Sequence, residues 1–191
     1  MNNERSARVR AIFQEAIRVH ERARDRLGDA VLATVDAMRR TFDAGAKVLV
    51  FGNGGSAADS QHLAAELVGR FMRERRALPA VALTTDTSVL TGIGNDFGYD
   101  RVFARQVEAL GKPGDLVIGI TTSGESKNVV AALSTARRLG LTTIVLTGRE
   151  GKAAGGLADI LVNVPETSVA RVQEVHRTIL HAICELLERD L

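Results

Sequence analysis

The sequence predicts an α/β domain built on a doubly wound, five-stranded parallel sheet. Three observations predict it. Five short apolar runs recur between residues 46 and 164, and stretches of helical character lie between them. Most of the runs do not alternate apolar with polar residues, as suits strands covered on both faces. Loops rich in glycine and hydroxyls follow the first and third runs, where open parallel sheets bind their ligands.

Residues 1–191 read as a single domain, with 1–44 a helical pair and 45–191 the α/β core and last helix. Val9, Ile12, Phe13, Ala16 and Ile17 form one helical stripe, and Val31, Val35, Met38 and Phe42 a second. Gly28 separates the two expected helices and Gly45 is a stop signal. Such a pair either covers the sheet or joins a partner subunit. Strands are expected at Lys47–Phe51, Ala80–Thr84, Leu116–Thr121, Thr142–Leu146 and Ile160–Val164. Helices are expected at Ser56–Phe71, Ser88–Ile93, Asp100–Leu110, Ser126–Leu139 and Ser168–Arg189. With strand order 2-1-3-4-5, the loops after the first and third strands flank one crevice.

Composition narrows the function. A formal net charge of +2 makes no electrostatic case for nucleic acid, and Glu74 interrupts the cluster of Arg70, Arg73, Arg75 and Arg76. No apolar run reaches membrane length. The one cysteine, Cys184, reads as a reduced core residue. Together these favour the cytoplasm.

The organising stretch is Gly52–Arg70, where a glycine loop leads into a helix whose first N–H groups suit an anion. Ser56, with Asp59 three residues on, has the form of an N-cap that also contacts ligand. Thr121, Thr122, Ser123 and Ser126 surround one glycine ahead of another helix. They read either as a phosphate cradle or as an N-capped turn, and the glycine loop across the crevice favours phosphate. No Walker lysine follows, and Gly52-Asn-Gly-Gly55 lacks dinucleotide spacing. His62 and Glu66 lie about 40° apart around their helix and can share a metal or a substrate, or simply form an exposed pair. On the last helix, spacing alone aligns His181 with Glu174 better than with Gln173. His20 and His176 read as solvated or core residues. The Gly92–Gly98 glycines suggest a loop for Asn95 and Asp96, which either form a turn or bind a polyol.

Five segments, taken together, resemble the bacterial phosphoheptose isomerases of the sugar isomerase (SIS) domain superfamily. They are Gly52-Asn-Gly-Gly-Ser56, Gln61-His-Leu-Ala-Ala-Glu66, Asn95-Asp96, Thr121-Thr-Ser-Gly-x-Ser126 and Arg171-Val-Gln-Glu-Val-His176. The resemblance runs over nearly the whole chain. It implies the SIS fold with flavodoxin-like strand order. It also implies aldose–ketose isomerisation of D-sedoheptulose 7-phosphate to D-glycero-D-manno-heptose 7-phosphate, the first step towards ADP- or GDP-heptose. A homotetramer with sites at subunit interfaces is implied, with one zinc ion per subunit on His62, Glu66, Gln173 and His181. Substrate contacts carry over to Asn53, Gly54, Gly55, Ser56, Glu66, Asn95, Asp96, Thr121, Thr122, Ser123, Ser126 and Gln173. Glu66 is the expected base and His181 the expected acid. Ala170 departs from relatives that carry an aspartate there. Two other readings lie within the superfamily: a non-catalytic protein that binds a replication initiator, and an isomerase or sensor for another phosphosugar. The former lacks the acid at the Glu66 position and the histidine at the His181 position, both of which are present here.

Overall fold

The computed structural model describes residues 2–189. A long helix α1 (Asn2–Asp43) leads into β1 (Val48–Gly52) and α2 (Gly55–Val68). β2 (Ala80–Ala82), α3 (Thr87–Phe97), a 3-10 turn at Tyr99–Arg101 and α4 (Val102–Leu110) follow. The chain closes with β3 (Leu116–Thr121), α5 (Lys127–Arg138), β4 (Thr142–Thr147), the short α6 (Lys152–Gly155), β5 (Ile160–Asn163) and α7 (Val169–Arg189).

All strand pairs are parallel, and the order β2-β1-β3-β4-β5 is the expected one. Alternate strand residues serve opposite faces. Val48, Val50, Ile118, Ile144 and Val162 pack with α1, α2 and α7, whereas Leu49, Phe51, Val117 and Val145 pack with α4 and α5. The order reverses between β1 and β3, so their following loops open on one crevice.

Two expectations fail. The leading helical pair is one unbroken helix of 42 residues. Gly28 does not break it, because a single helical glycine costs only about 1 kcal/mol, which the packing of α1 on α7 outweighs. The Gly92–Gly98 region is likewise not a loop: Asn95 and Asp96 lie in the last turn of α3. Asp86 caps that helix by accepting from the Val89 N–H at 3.0 Å, and Gly98, at φ 84°, ends it.

The two halves of α1 behave differently. Val35, Met38 and Phe42 are core residues. Val9, Phe13 and Ile17 are 53%, 67% and 57% exposed, so the first stripe is not covered within the chain.

His176 is fully buried, with Nε2 3.3 Å from the Thr147 carbonyl oxygen. Burial pushes its imidazole down to about 4. Unfolded, the same group takes up a proton near pH 6.5. Its contribution to stability is therefore complete above pH 6.5 and is lost as pH falls towards 4. We expect urea unfolding to show this acid loss. In His176→Gln the slope of stability against pH in that window should fall by about 1.4 kcal/mol per unit, one proton's worth. An unchanged slope would count against the assignment.

Candidate active site

The site is laid out along two helices that run side by side from the crevice. α2 leaves the glycine loop after β1, and α7 begins close to the same point. Four contacts join them or the segment after α2. The Gln173 side chain lies against Gly55, so close that a Cβ built on Gly55 would stand 2.5 Å from Gln173 Nε2. Next, Arg177 Nη2 pairs with Asp59 Oδ1 at 2.5 Å. Beyond it, His62 Nε2 and His181 Nε2 are 2.7 Å apart. Past the end of α2, the Glu188 carboxylate accepts from the backbone N–H groups of Phe71, Met72 and Arg73 at 2.7 to 2.8 Å.

At the crevice end is a cavity of about 280 Å³. Asn53, Gly54, Gly55, Ser56, Thr121, Thr122, Ser126 and Gln173 line it, as the sequence leads one to expect, and Ile120 and Val169 complete the wall. The starts of α2 and α5 both meet it, bringing helix-start N–H groups and hydroxyls together. Serine capping is not what organises these starts. Gly54, not Ser56, occupies the N-cap position of α2, and Ser56 is buried in the first turn. Ser126 does stand at the N-cap of α5, but its Oγ lies 3.1 Å from Thr121 Oγ1 rather than on a helix N–H. Ser123 Oγ lies beside that pair, 3.5 Å from Thr121 Oγ1, and accepts from the Glu125 N–H at 3.2 Å. Gly124, at φ 70°, lets the loop turn against Gly151.

The second group of side chains lies two turns along. Glu66 Oε1 is 3.5 Å from His62 Nε2, so the two side chains lie together on α2, and His62 meets His181 from α7. Phe71 packs its ring 5.4 Å from that of His181. Burial, helped by the nearby Arg177 guanidinium, holds the His62 imidazole below its ordinary value. Burial raises the Asp59 carboxyl, and Arg177 works against that rise. A neutral imidazole pair at this distance shares one proton: one Nε2–H donates to the other Nε2.

Two imidazoles and a carboxylate form a donor set of zinc type, and His62 is biased towards the neutral form a metal needs. The chemistry thus fits. In the present arrangement the two Nε2 atoms are bonded to each other, and no three His, Cys, Asp or Glu side chains among the described residues close on one ion position. Gln173 makes no hydrogen bond to the pair. Its amide stays at the cavity, eight residues and about 12 Å of helix before His181. Glu174 is turned away, paired with Arg171 at 3.0 Å, so the alignment suggested by spacing does not bring it to His181.

Asn95 and Asp96 are exposed, bonded to each other at 2.8 Å, and do not line the cavity. Ala170 is exposed, one residue after the wall residue Val169. Cys184 is buried, and burial pushes its thiol up to about 12, which fits a core residue rather than a nucleophile. His20 is half-buried and bonds Thr178 Oγ1 at 3.0 Å. A larger cavity, about 710 Å³, lies elsewhere, between α1 and α7, with a mostly aliphatic lining that includes His20 and Thr178 but none of the residues around the crevice or the His62–His181 pair.

Residues 12–148 match the SIS domain family. The chain is 50% identical over 194 residues to the phosphoheptose isomerase of Roseiflexus sp. (strain RS-1), covering 100% of this chain and 98% of the relative. The structure of phosphoheptose isomerase from Neisseria gonorrhoeae superposes with a TM-score of 0.91 at 44% identity, over 96% of this chain and 98% of that one. That of a phosphoheptose isomerase from Francisella tularensis gives 0.93 at 36% identity, over 96% and 97%.

Proposed function

The chain belongs to the SIS domain family and, within it, to the phosphoheptose isomerases, and from that premise we propose that it interconverts D-sedoheptulose 7-phosphate and D-glycero-D-manno-heptose 7-phosphate. The observation that carries the reading is the distance between the two groups of side chains. His62 stands six residues beyond Ser56, about 9 Å along α2. From C2 of a seven-carbon ketose phosphate to phosphorus there are seven bonds, about 8 Å when extended at roughly 1.2 Å per bond. A phosphate held by Thr121, Thr122, Ser126 and the helix starts would thus lay the reacting carbons at Glu66, His62 and His181.

The reaction moves a proton between adjacent carbons through an enediol, and another between their oxygens. Glu66 takes the proton from carbon. His181, with the Nε2 proton it shares with His62, donates to and accepts from oxygen. The distant phosphate contact supplies binding free energy that holds the carbons in place for these transfers. His62, Glu66 and His181, with Gln173 from the cavity side, are the residues that would hold zinc; a metal there would take the place of the shared Nε2 proton, so the ligand roles of Glu66 and His181 would alternate with their roles as base and acid. Bound there, zinc would polarise the carbonyl and stabilise charge on its oxygen.

The remaining expectations belong to the same proposal. The exposed stripe on α1 and the apolar groove between α1 and α7 support a homotetramer, and exposed Asn95 and Asp96 support sites completed by a neighbouring subunit. Light scattering should then give about four times 20.5 kDa. Among the described residues no helix is long and apolar enough to cross a membrane, which agrees with a cytoplasmic enzyme supplying ADP- or GDP-heptose synthesis.

The test is a chain-length series. Sedoheptulose 7-phosphate should be isomerised. Ribulose 5-phosphate, about 2 Å too short to reach, should show kcat/KM lower by about 100-fold or more. No turnover of the heptulose phosphate, with or without zinc, would overturn the proposal, and equal turnover of both sugars would remove the distance argument.

A further inference from the structure

Behind the cavity wall, Asn128 makes a reciprocal amide pair with Asn53. Asn53 Nδ2 donates to Asn128 Oδ1 at 2.8 Å, and Asn128 Nδ2 donates to Asn53 Oδ1 at 2.9 Å. Asn128 is 3% exposed and does not line the cavity, whereas Asn53 does. The pair crosses the crevice from the first turn of α5 to the loop before α2.

The orientation of both amides follows from one backbone group. The Val129 N–H, at the start of α5, donates to Asn128 Oδ1 at 2.9 Å. That bond places oxygen, not nitrogen, on this side of Asn128, since an NH2 there would face another donor. Asn128 Nδ2 must then meet Asn53 Oδ1, and Asn53 Nδ2 must meet Asn128 Oδ1. Tyr99 adds a long contact from its hydroxyl to Asn53 Oδ1 at 3.5 Å. The Asn53 oxygen is thus occupied, while its NH2 keeps a second hydrogen for the cavity.

We propose that Asn128 is a positioning residue that locks the Asn53 amide so that it offers an N–H donor to the ligand, selecting an acceptor oxygen on the sugar. The identity of that ligand rests on the isomerase reading above; the lock itself does not. Free to turn, Asn53 would present oxygen as readily as nitrogen, and only part of the population would be competent to bind.

A double-mutant cycle tests it, because a residue that acts only through Asn53 has no effect once Asn53 is gone. In Asn128→Ala, KM for sedoheptulose 7-phosphate should rise about 10-fold while kcat stays within about 3-fold. In an Asn53→Ala background the same substitution should change kcat/KM by less than about 2-fold. Asn128→Asp keeps the acceptor for Val129 N–H but loses the donor to Asn53, and should raise KM like alanine. Equal effects of Asn128→Ala in both backgrounds, or a wild-type KM in Asn128→Asp, would overturn the proposal. The side-chain amide resonance of Asn53 gives a second readout, independent of turnover. It should be a slowly exchanging pair in the wild type and exchange faster in Asn128→Asp. Were the wild type to turn over no heptulose phosphate, the isomerase reading would fall, and this resonance would still decide the lock, with unchanged exchange refuting it.

Discussion

Glu66→Gln should lower kcat by about 1,000-fold, within the 10² to 10⁴ that general acid–base catalysis supplies, while KM stays within a few-fold. The substitution keeps shape and removes only the ability to take a proton. Among the described residues the Glu66 side chain has one polar contact, the 3.5 Å approach to His62 Nε2, and it is half-buried. Its backbone carbonyl, which accepts from Arg75 Nη2 at 2.6 Å, is untouched. Thermal unfolding should therefore move by less than about 4 °C, since less than about 1 kcal/mol is at stake. Steady-state kinetics with the heptulose phosphate checks the first statement and a melting curve the second. Retention of a tenth of the activity would show that another group takes the carbon proton.

Gly124→Ala should damage binding and stability together. Gly124 has φ 70°, and a Cβ there would stand 2.3 Å from the Gly151 carbonyl oxygen and 2.7 Å from its carbon. These are backbone atoms and cannot swing aside. The loop is also tied at this point, because the Gly124 carbonyl accepts from the Ala154 N–H at 2.9 Å and Gly124 N–H donates to Thr121 Oγ1 at 3.3 Å. Backbone strain and overpacking together cost about 3 kcal/mol, which lowers the melting temperature by about 6 to 12 °C in a domain of this size. KM should rise by about 100-fold as the hydroxyls of Thr121 and Ser126 leave their places. Gly140→Ala is the control. It has φ 73° but no atom within 4 Å of the added Cβ, so it should lose stability by about 1 kcal/mol and leave KM unchanged. Wild-type KM in Gly124→Ala would argue that this loop does not hold the phosphate.

What could be seen in the sequence was what is local or periodic. The runs around Val48–Phe51, Leu116–Thr121 and Thr142–Leu146 are short and apolar enough to fix their strands, and strand order then brings the glycine and hydroxyl loops together. Gly28, Gly92 and Gly94 misled because propensity is a weak prior: each lies inside a helix, and Gly92 and Gly94 share one turn of α3, a helix that carries no fully buried residue. Spacing along α7 favoured Glu174 because it measures angles about one axis. The choice between Glu174 and Gln173 depends on where α2 lies, and a single helix does not contain that information. The same holds for Asp59 with Arg177, Asn53 with Asn128, and Glu188 with the backbone after α2. Each is an ordinary residue until a distant partner arrives, and no period in the sequence marks the match.

The side-by-side course of α2 and α7 limits how this active site can be resized. Removing one residue of α2 between Ser56 and His62 would swing the imidazole about 100° away from His181. Facing is restored only by a whole turn, which changes the reach by about 5.4 Å, or four to five bonds of a sugar chain. Lengthening or shortening the helix therefore changes the preferred substrate in coarse jumps. A one-carbon adjustment has to come from the Thr121–Ser126 loop at the anchored end, where backbone can move by an ångström without turning any side chain off its face.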